Sequence, residues 1–137
     1  CIRDRPSHVY VYLSYGMHHC VNLVCSPDGE ASAVLLRGGQ VISGHDDARR
    51  RRGNVPENRL ACGPGNMGSA LGANLEESGD PVSLIGNGAV PAQGWHLEPA
   101  PETAEFRQGP RVGISRNTDA PWRWWIPQDP TVSGPRT

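Results

Sequence analysis

The sequence predicts an α+β fold in a single domain spanning residues 1–137: a curved antiparallel β-sheet with short flanking helices and a protruding β-hairpin. Three observations lead to it. Residues 8–15 alternate in polarity, a Tyr15-Gly16 pair separates them from a second run rich in β-branched residues, "HHCVNLVC", and two short helical patterns follow. The length of 137 residues suits one domain with one modest core.

The first strand projects His8, Tyr10, Tyr12 and Ser14 to one side and Val9, Val11 and Leu13 to the other, which makes the valine side the core face. The Tyr-Gly turn folds the next run back as its hairpin partner. A "SPDGE" turn introduces a third strand, "ASAVLLRG", in which Leu35 and Arg37 share a face opposite Leu36. Residues 44–52 and 65–73 are the helix candidates. In "GHDDARRRRG" the acids occupy the first turn and the cations the last, an order that suits the helix dipole without any ligand. The second candidate follows a "CGPG" turn. Beyond residue 76 the chain is dense in Gly, Pro and Glu, and the reading there is mobile loops around one strand at 82–85. "PRVGIS" and "WRWWIP" read as two short strands returning to the sheet, with Trp122, Trp124 and Trp125 as core and rim aromatics.

Composition narrows the function classes. The formal net charge is −1, so global electrostatics neither announce nor exclude a polyanionic partner. All 13 basic residues are arginine. No apolar run approaches the ~20 residues that cross a bilayer, so no membrane partner is expected. The four cysteines are too sparse for a disulfide framework, and a reducing cytoplasm fits them. His18, His19, Cys20 and Cys25 invite a zinc reading. Positions 20 and 25 differ by an odd number, however, so on a regular strand they face opposite ways and cannot share an ion. Neither a metal nor a cofactor is expected. The chain opens on Cys1 rather than Met, which is read as truncation of a longer protein.

All three tyrosines lie between residues 8 and 22. Tyr10 and Tyr12, opposite the valines, form an aromatic platform with hydroxyl handles. Tyr15 sits at the turn with no core to enter, and an exposed aromatic on a hairpin tip can act on nucleic acid as a wedge that replaces a base in the stack.

"HVYVYLSYGMHHCVNLV", "AVLLR", "GPGNMGSALG", "GPRVGIS" and "PWRWW", in that order with "DPTVS" after them, resemble the 3-methyladenine (alkylpurine) DNA glycosylase family over roughly residues 5 to 133. The resemblance implies excision of alkylated or deaminated purines (3-methyladenine, 7-methylguanine, hypoxanthine) from double-stranded DNA after base flipping, by a monomer in the bacterial cytoplasm beside the nucleoid. Position by position, it makes Tyr15 the wedge with Gly16, Met17 and His18 along the groove. Tyr10, Tyr12, Asn22 and Leu35 become the base pocket. Arg37 and the backbone carbonyl of Val112 hold the attacking water, and Gly65 and Asn66 contact a DNA phosphate. Asn66 departs from the Lys that many relatives carry there. The family's catalytic glutamate precedes the tyrosine hairpin; here the only acid before it is Asp4, in no matching motif, so this chain is expected to lack the amino-terminal segment and to be inactive or nearly so. Two competing readings are a non-catalytic nucleic-acid-binding module on the same sheet and a small structural protein with no DNA role.

Overall fold

The structure, a computed structural model, describes residues 7–86, 93–100 and 105–137. Cys1 and Asp4 lie outside the described residues. The chain mixes helix and sheet, as the sequence predicts. Strands β1 (Val9–Ser14), β2 (His18–Val24) and β3 (Ala33–Leu35) form an antiparallel sheet in that order. Tyr10 is paired with Asn22, Tyr12 with Cys20 and Ser14 with His18, and Asn22 is paired in turn with Leu35.

The valine face carries the first core. Val9, Val11 and Val21 pack with Ala73, and Leu23, Leu36, Val82 and Trp95 close around them. The free edge of β1 is not left to solvent: Val9 N–H donates to the Asp80 carbonyl, Gly79 N–H to the Val9 carbonyl, and Val11 N–H to Ser78 Oγ. Covering an edge in this way satisfies backbone groups that would otherwise template a foreign strand.

Helix α1 (His45–Arg52) keeps Asp46 and Asp47 in its first turn and Arg49–Arg52 in its last. Helix α2 (Pro64–Leu71) opens with proline at its start and closes on Gly72 at φ 71°. A second small core of Ala48, Leu60, Ala61 and Ala70 joins the two helices, with Val41, Val55 and Met67 around it. Two of the arginines also serve this joint. Arg51 Nη1 donates to the Ala70 carbonyl at 2.8 Å, and Arg52 Nε to the Leu60 carbonyl at 2.8 Å.

Helix α2 lies against β2 because it carries glycine where they meet. A β-carbon on Gly65 would come within 2.8 Å of the His18 ring, and one on Gly68 would collide with the His19 carbonyl. The "GPGNMG" motif is therefore a packing requirement before it is anything else.

Several expectations are corrected downstream. Strand β4 (Val82–Leu84) forms at the predicted place, but its partner β5 (Trp95–Leu97) lies in a stretch read as loop, and the pair is parallel. "PRVGIS" is not a strand. The strand β6 is Arg107–Gly109, just before it, and it pairs with β7 (Arg123–Trp125) as a separate two-stranded sheet rather than returning to the first. Pro110 has no N–H to give a ladder, and Gly113 turns left-handed at φ 72°, so the run after residue 109 cannot stay extended and paired. Trp122 and Trp124 are exposed rather than core; only Trp125 is partly buried.

Candidate functional site

The hairpin turn is built from Ser14 to Met17, closed by Met17 N–H donating to the Ser14 carbonyl at 3.1 Å. Its central residues, Tyr15 and Gly16, both have positive φ, 51° and 68°. That is the backbone of a primed hairpin turn, which Gly adopts freely and a tyrosine does not. The strain holds an aromatic ring out from the protein: Tyr15 is 89% exposed, with Met17 at 69% beside it and His18 also exposed.

Beneath the turn, the sheet register gathers the predicted pocket residues into one row. Tyr10, Asn22 and Leu35 are cross-strand neighbours on the face opposite the valines, and Tyr12 with Cys20 forms the next rung toward the turn. The Tyr10 and Tyr12 rings stack with centroids 5.8 Å apart at 26°. Asn22 is 7% exposed, and its Nδ2 donates to the Tyr10 carbonyl at 3.2 Å, which fixes the plane of the amide. Leu35 is half-buried.

Arg37 follows where the chain leaves β3. Its carbonyl accepts from Gly63 N–H at 2.9 Å, so its backbone is held to the start of α2. Its guanidinium interacts electrostatically with Tyr12 and Cys20 and with the cations Arg123 and Arg111. Burial, then the two neighbouring cations, pull the Arg37 pKa below its ordinary value. Burial, followed by Cys20, raises that of Tyr12. Val112, in the segment between β6 and β7, comes near Arg123: its side chain and the Arg123 guanidinium both border Gly134. Arg123, only 5% exposed, donates through Nη2 to the Ser133 and Pro135 carbonyls and stacks 4.4 Å over Trp125, which fastens the segment after residue 130 against the site.

Among the described residues no carboxylate appears among the groups that act on Arg37 or Tyr12. Cys20 is buried on the tyrosine face and Cys25 is exposed, and the described residues contain no cluster of three metal-ligating side chains. Gly65 and Asn66 lie in the first turn of α2, where Asn66 Nδ2 donates to the Cys62 carbonyl at 2.7 Å; Gly65 abuts His18, so the phosphate-contact candidates and the wedge flank are adjacent. Arg111 and Arg123 went unnoticed in the sequence. The available signals were the position of Arg111 immediately before Val112 and the inward place of Arg123 in an alternating strand.

Residues 2–130 match the Methylpurine-DNA glycosylase family profile. The chain belongs to this family. It is 90% identical over 132 residues to a protein of Cutibacterium acnes (strain DSM 16379 / KPA171202) named "Putative 3-methyladenine DNA glycosylase", covering 96% of this chain and 69% of that protein. Proteins of the same name in Corynebacterium jeikeium (strain K411) and Mycobacterium leprae (strain Br4923) are 50% and 43% identical, with 96% and 93% of this chain covered. The chain spans only 64% and 57% of these last two relatives. The tyrosine hairpin and the Asn22 row belong to one sheet, and Arg37 interacts electrostatically with Tyr12 of that sheet.

Proposed function

We propose that this chain carries the base-recognition face and the DNA wedge of a base-excision enzyme that hydrolyses the N-glycosidic bond of alkylated or deaminated purines in double-stranded DNA. The observation that carries the proposal is the alignment of Tyr10, Asn22 and Leu35 across three strands, two of which lead into a turn that holds Tyr15 in solvent.

Chemistry on a base inside a duplex requires extruding the nucleotide, at a cost of a few kcal/mol that is least at damaged positions. Tyr15 occupies the vacated place in the stack, with Gly16, Met17 and His18 along the groove. The extruded purine lies against the Tyr10–Tyr12 rings. A purine methylated at N3 or N7 is cationic, so an electron-rich ring face attracts it more than it attracts an ordinary base. The Asn22 amide, held by the Tyr10 carbonyl, crowds the 2-amino group of guanine. Water positioned by the Arg37 guanidinium and the Val112 carbonyl attacks the sugar C1′. The C1′–N bond breaks as the C1′–O bond forms, the purine departs with the bonding pair, and the water loses a proton to a general base. Leaving groups that are already cationic depart neutral and need no added proton.

No described carboxylate is among the groups that act on Arg37 or Tyr12; we place the general base outside this face and expect the 137-residue chain by itself to bind lesions without excising them. The substrates are 3-methyladenine, 7-methylguanine and hypoxanthine, the enzyme acts as a monomer, and its place is the cytoplasm beside the nucleoid. The test is binding and turnover of the chain on duplexes containing hypoxanthine, a methylated purine or an abasic analogue. Tighter binding to the abasic analogue than to undamaged duplex, with no new abasic sites, is the expected result. Equal binding to all duplexes sinks the repair reading, and robust excision refutes the inactivity of the chain alone.

A further inference from the structure

Two clefts flank the start of α2, one of about 380 Å³ and one of about 410 Å³. The smaller runs from Met17 and His18, beside the wedge, to Arg51. The larger is bordered by Arg59, Cys62 and Ser133. Arg52 and Asn66 line both, so the clefts meet along the side of α2. A β-carbon built on Gly63 would lie within 4.0 Å of both Asn66 Nδ2 and the Ser133 side chain, which places those two groups together at the N-terminus of the helix.

The chemistry of this track has one sign. Among the described residues no Asp or Glu lines either cleft. Neither Arg52 nor Arg59 forms an ion pair with a carboxylate among the described residues. Arg52 commits Nε to the Leu60 carbonyl, and Arg59 commits Nη1 to the weak acceptor Cys62 Sγ at 3.4 Å, so the remaining N–H donors of both forks find no protein acceptor among the described residues. Ser133 borders the larger cleft, and its Oγ is buried without a hydrogen-bond partner among the described residues. Guanidinium forks, a spare hydroxyl and the positive end of a helix are together what a phosphate diester requires.

We infer that the Arg52–Arg59–Ser133 cleft binds a backbone phosphate of the DNA strand, continuing the protein's footprint from the Tyr15 wedge along α2 to a point beyond Asn66. This inference rests on the proposed DNA-repair reading and extends it to a contact that carries no base information. It makes Arg59 a register-setting residue on the duplex, with no part in lesion choice.

The test is the salt dependence of duplex binding by the 137-residue chain and its Arg59→Gln and Arg59→Lys variants, on undamaged and abasic-analogue duplexes. Arg59 is exposed, so both variants should fold as the parent does. Removing one phosphate contact lowers the slope of log K against log salt by about 0.9, and weakens binding roughly five- to ten-fold at 0.1 M salt, equally on both duplexes. Arg59→Lys restores the slope. An unchanged slope in Arg59→Gln, with the abasic preference intact, overturns the phosphate track alone. A parent that binds duplex in a salt-dependent way but shows no abasic preference sinks the repair reading and leaves the track standing; a parent that binds no duplex sinks both. Inorganic phosphate is the control for a free-anion site. Weak binding, displaced by duplex, supports the inference, whereas tight binding that duplex fails to displace overturns it.

Discussion

The carbonyl oxygen of His19 occupies the space into which a β-carbon on Gly68 would point, so α2 touches β2 backbone to backbone. This contact sets the distance between the wedge flank at His18 and the first turn of the helix. Gly68→Ala forces the helix off the sheet, and a destabilisation of about 1–3 kcal/mol is expected from such overpacking. Chemical denaturation of the variant checks it. Gly86→Ala is the control for crowding, since a β-carbon there meets nothing within 4 Å and its φ lies outside the left-handed region.

Tyr15 holds a left-handed conformation that a side chain of its kind adopts at a cost of order 1 kcal/mol. Tyr15→Asn converts the turn to Asn-Gly, the residue pair that this backbone favours. The variant should melt at the same temperature as the parent or a few degrees higher, while losing its preference for abasic-analogue duplex. A marked fall in melting temperature would show that the ring packs against the protein, contrary to its 89% exposure.

The four consecutive arginines of α1 are not equivalent. Arg51 donates to the Ala70 carbonyl at 2.8 Å, whereas Arg50 pairs with Asp47 one turn away on the exposed surface. Arg51→Ala is expected to cost about 1–2 kcal/mol by leaving that carbonyl at the end of α2 without its charged donor. Arg50→Ala should stay within about 0.5 kcal/mol of the parent. Parallel urea titrations distinguish them.

Burial holds the Tyr12 phenol above its ordinary pKa of 10.0, with Cys20 adding to the effect and Arg37 opposing it. For an acid whose pKa rises on folding, the native state keeps its proton longer than the unfolded chain. The stabilisation from Tyr12 is thus intact below pH 10.0 and is lost as pH climbs through the folded value. Ultraviolet titration of phenolate should show a component above the ordinary range that disappears in Tyr12→Phe.

The Asn22 side-chain amide donates across the strands to the Tyr10 carbonyl. In an enzyme supplied with its general base, Asn22→Ser removes the amide from the base face and should raise excision of undamaged guanine relative to 3-methyladenine. Unchanged selectivity would leave Asn22 a structural residue that satisfies a carbonyl.

The sequence by itself determined the tyrosine hairpin. Alternation from residue 8 to residue 14 settles which side chains share a face, and a Tyr-Gly pair between two β-rich runs settles where the chain reverses; both depend only on near neighbours. The order of acids and cations in α1 was legible for the same reason. Tertiary structure alone decided the rest. The parallel pairing of Val82–Leu84 with Trp95–Leu97, the approach of Arg111 and Arg123 to Arg37, and the seating of α2 on His18 and His19 join residues far apart in the chain. No local period encodes such meetings, because each depends on which distant surface is left uncovered once the hairpin has buried its valines.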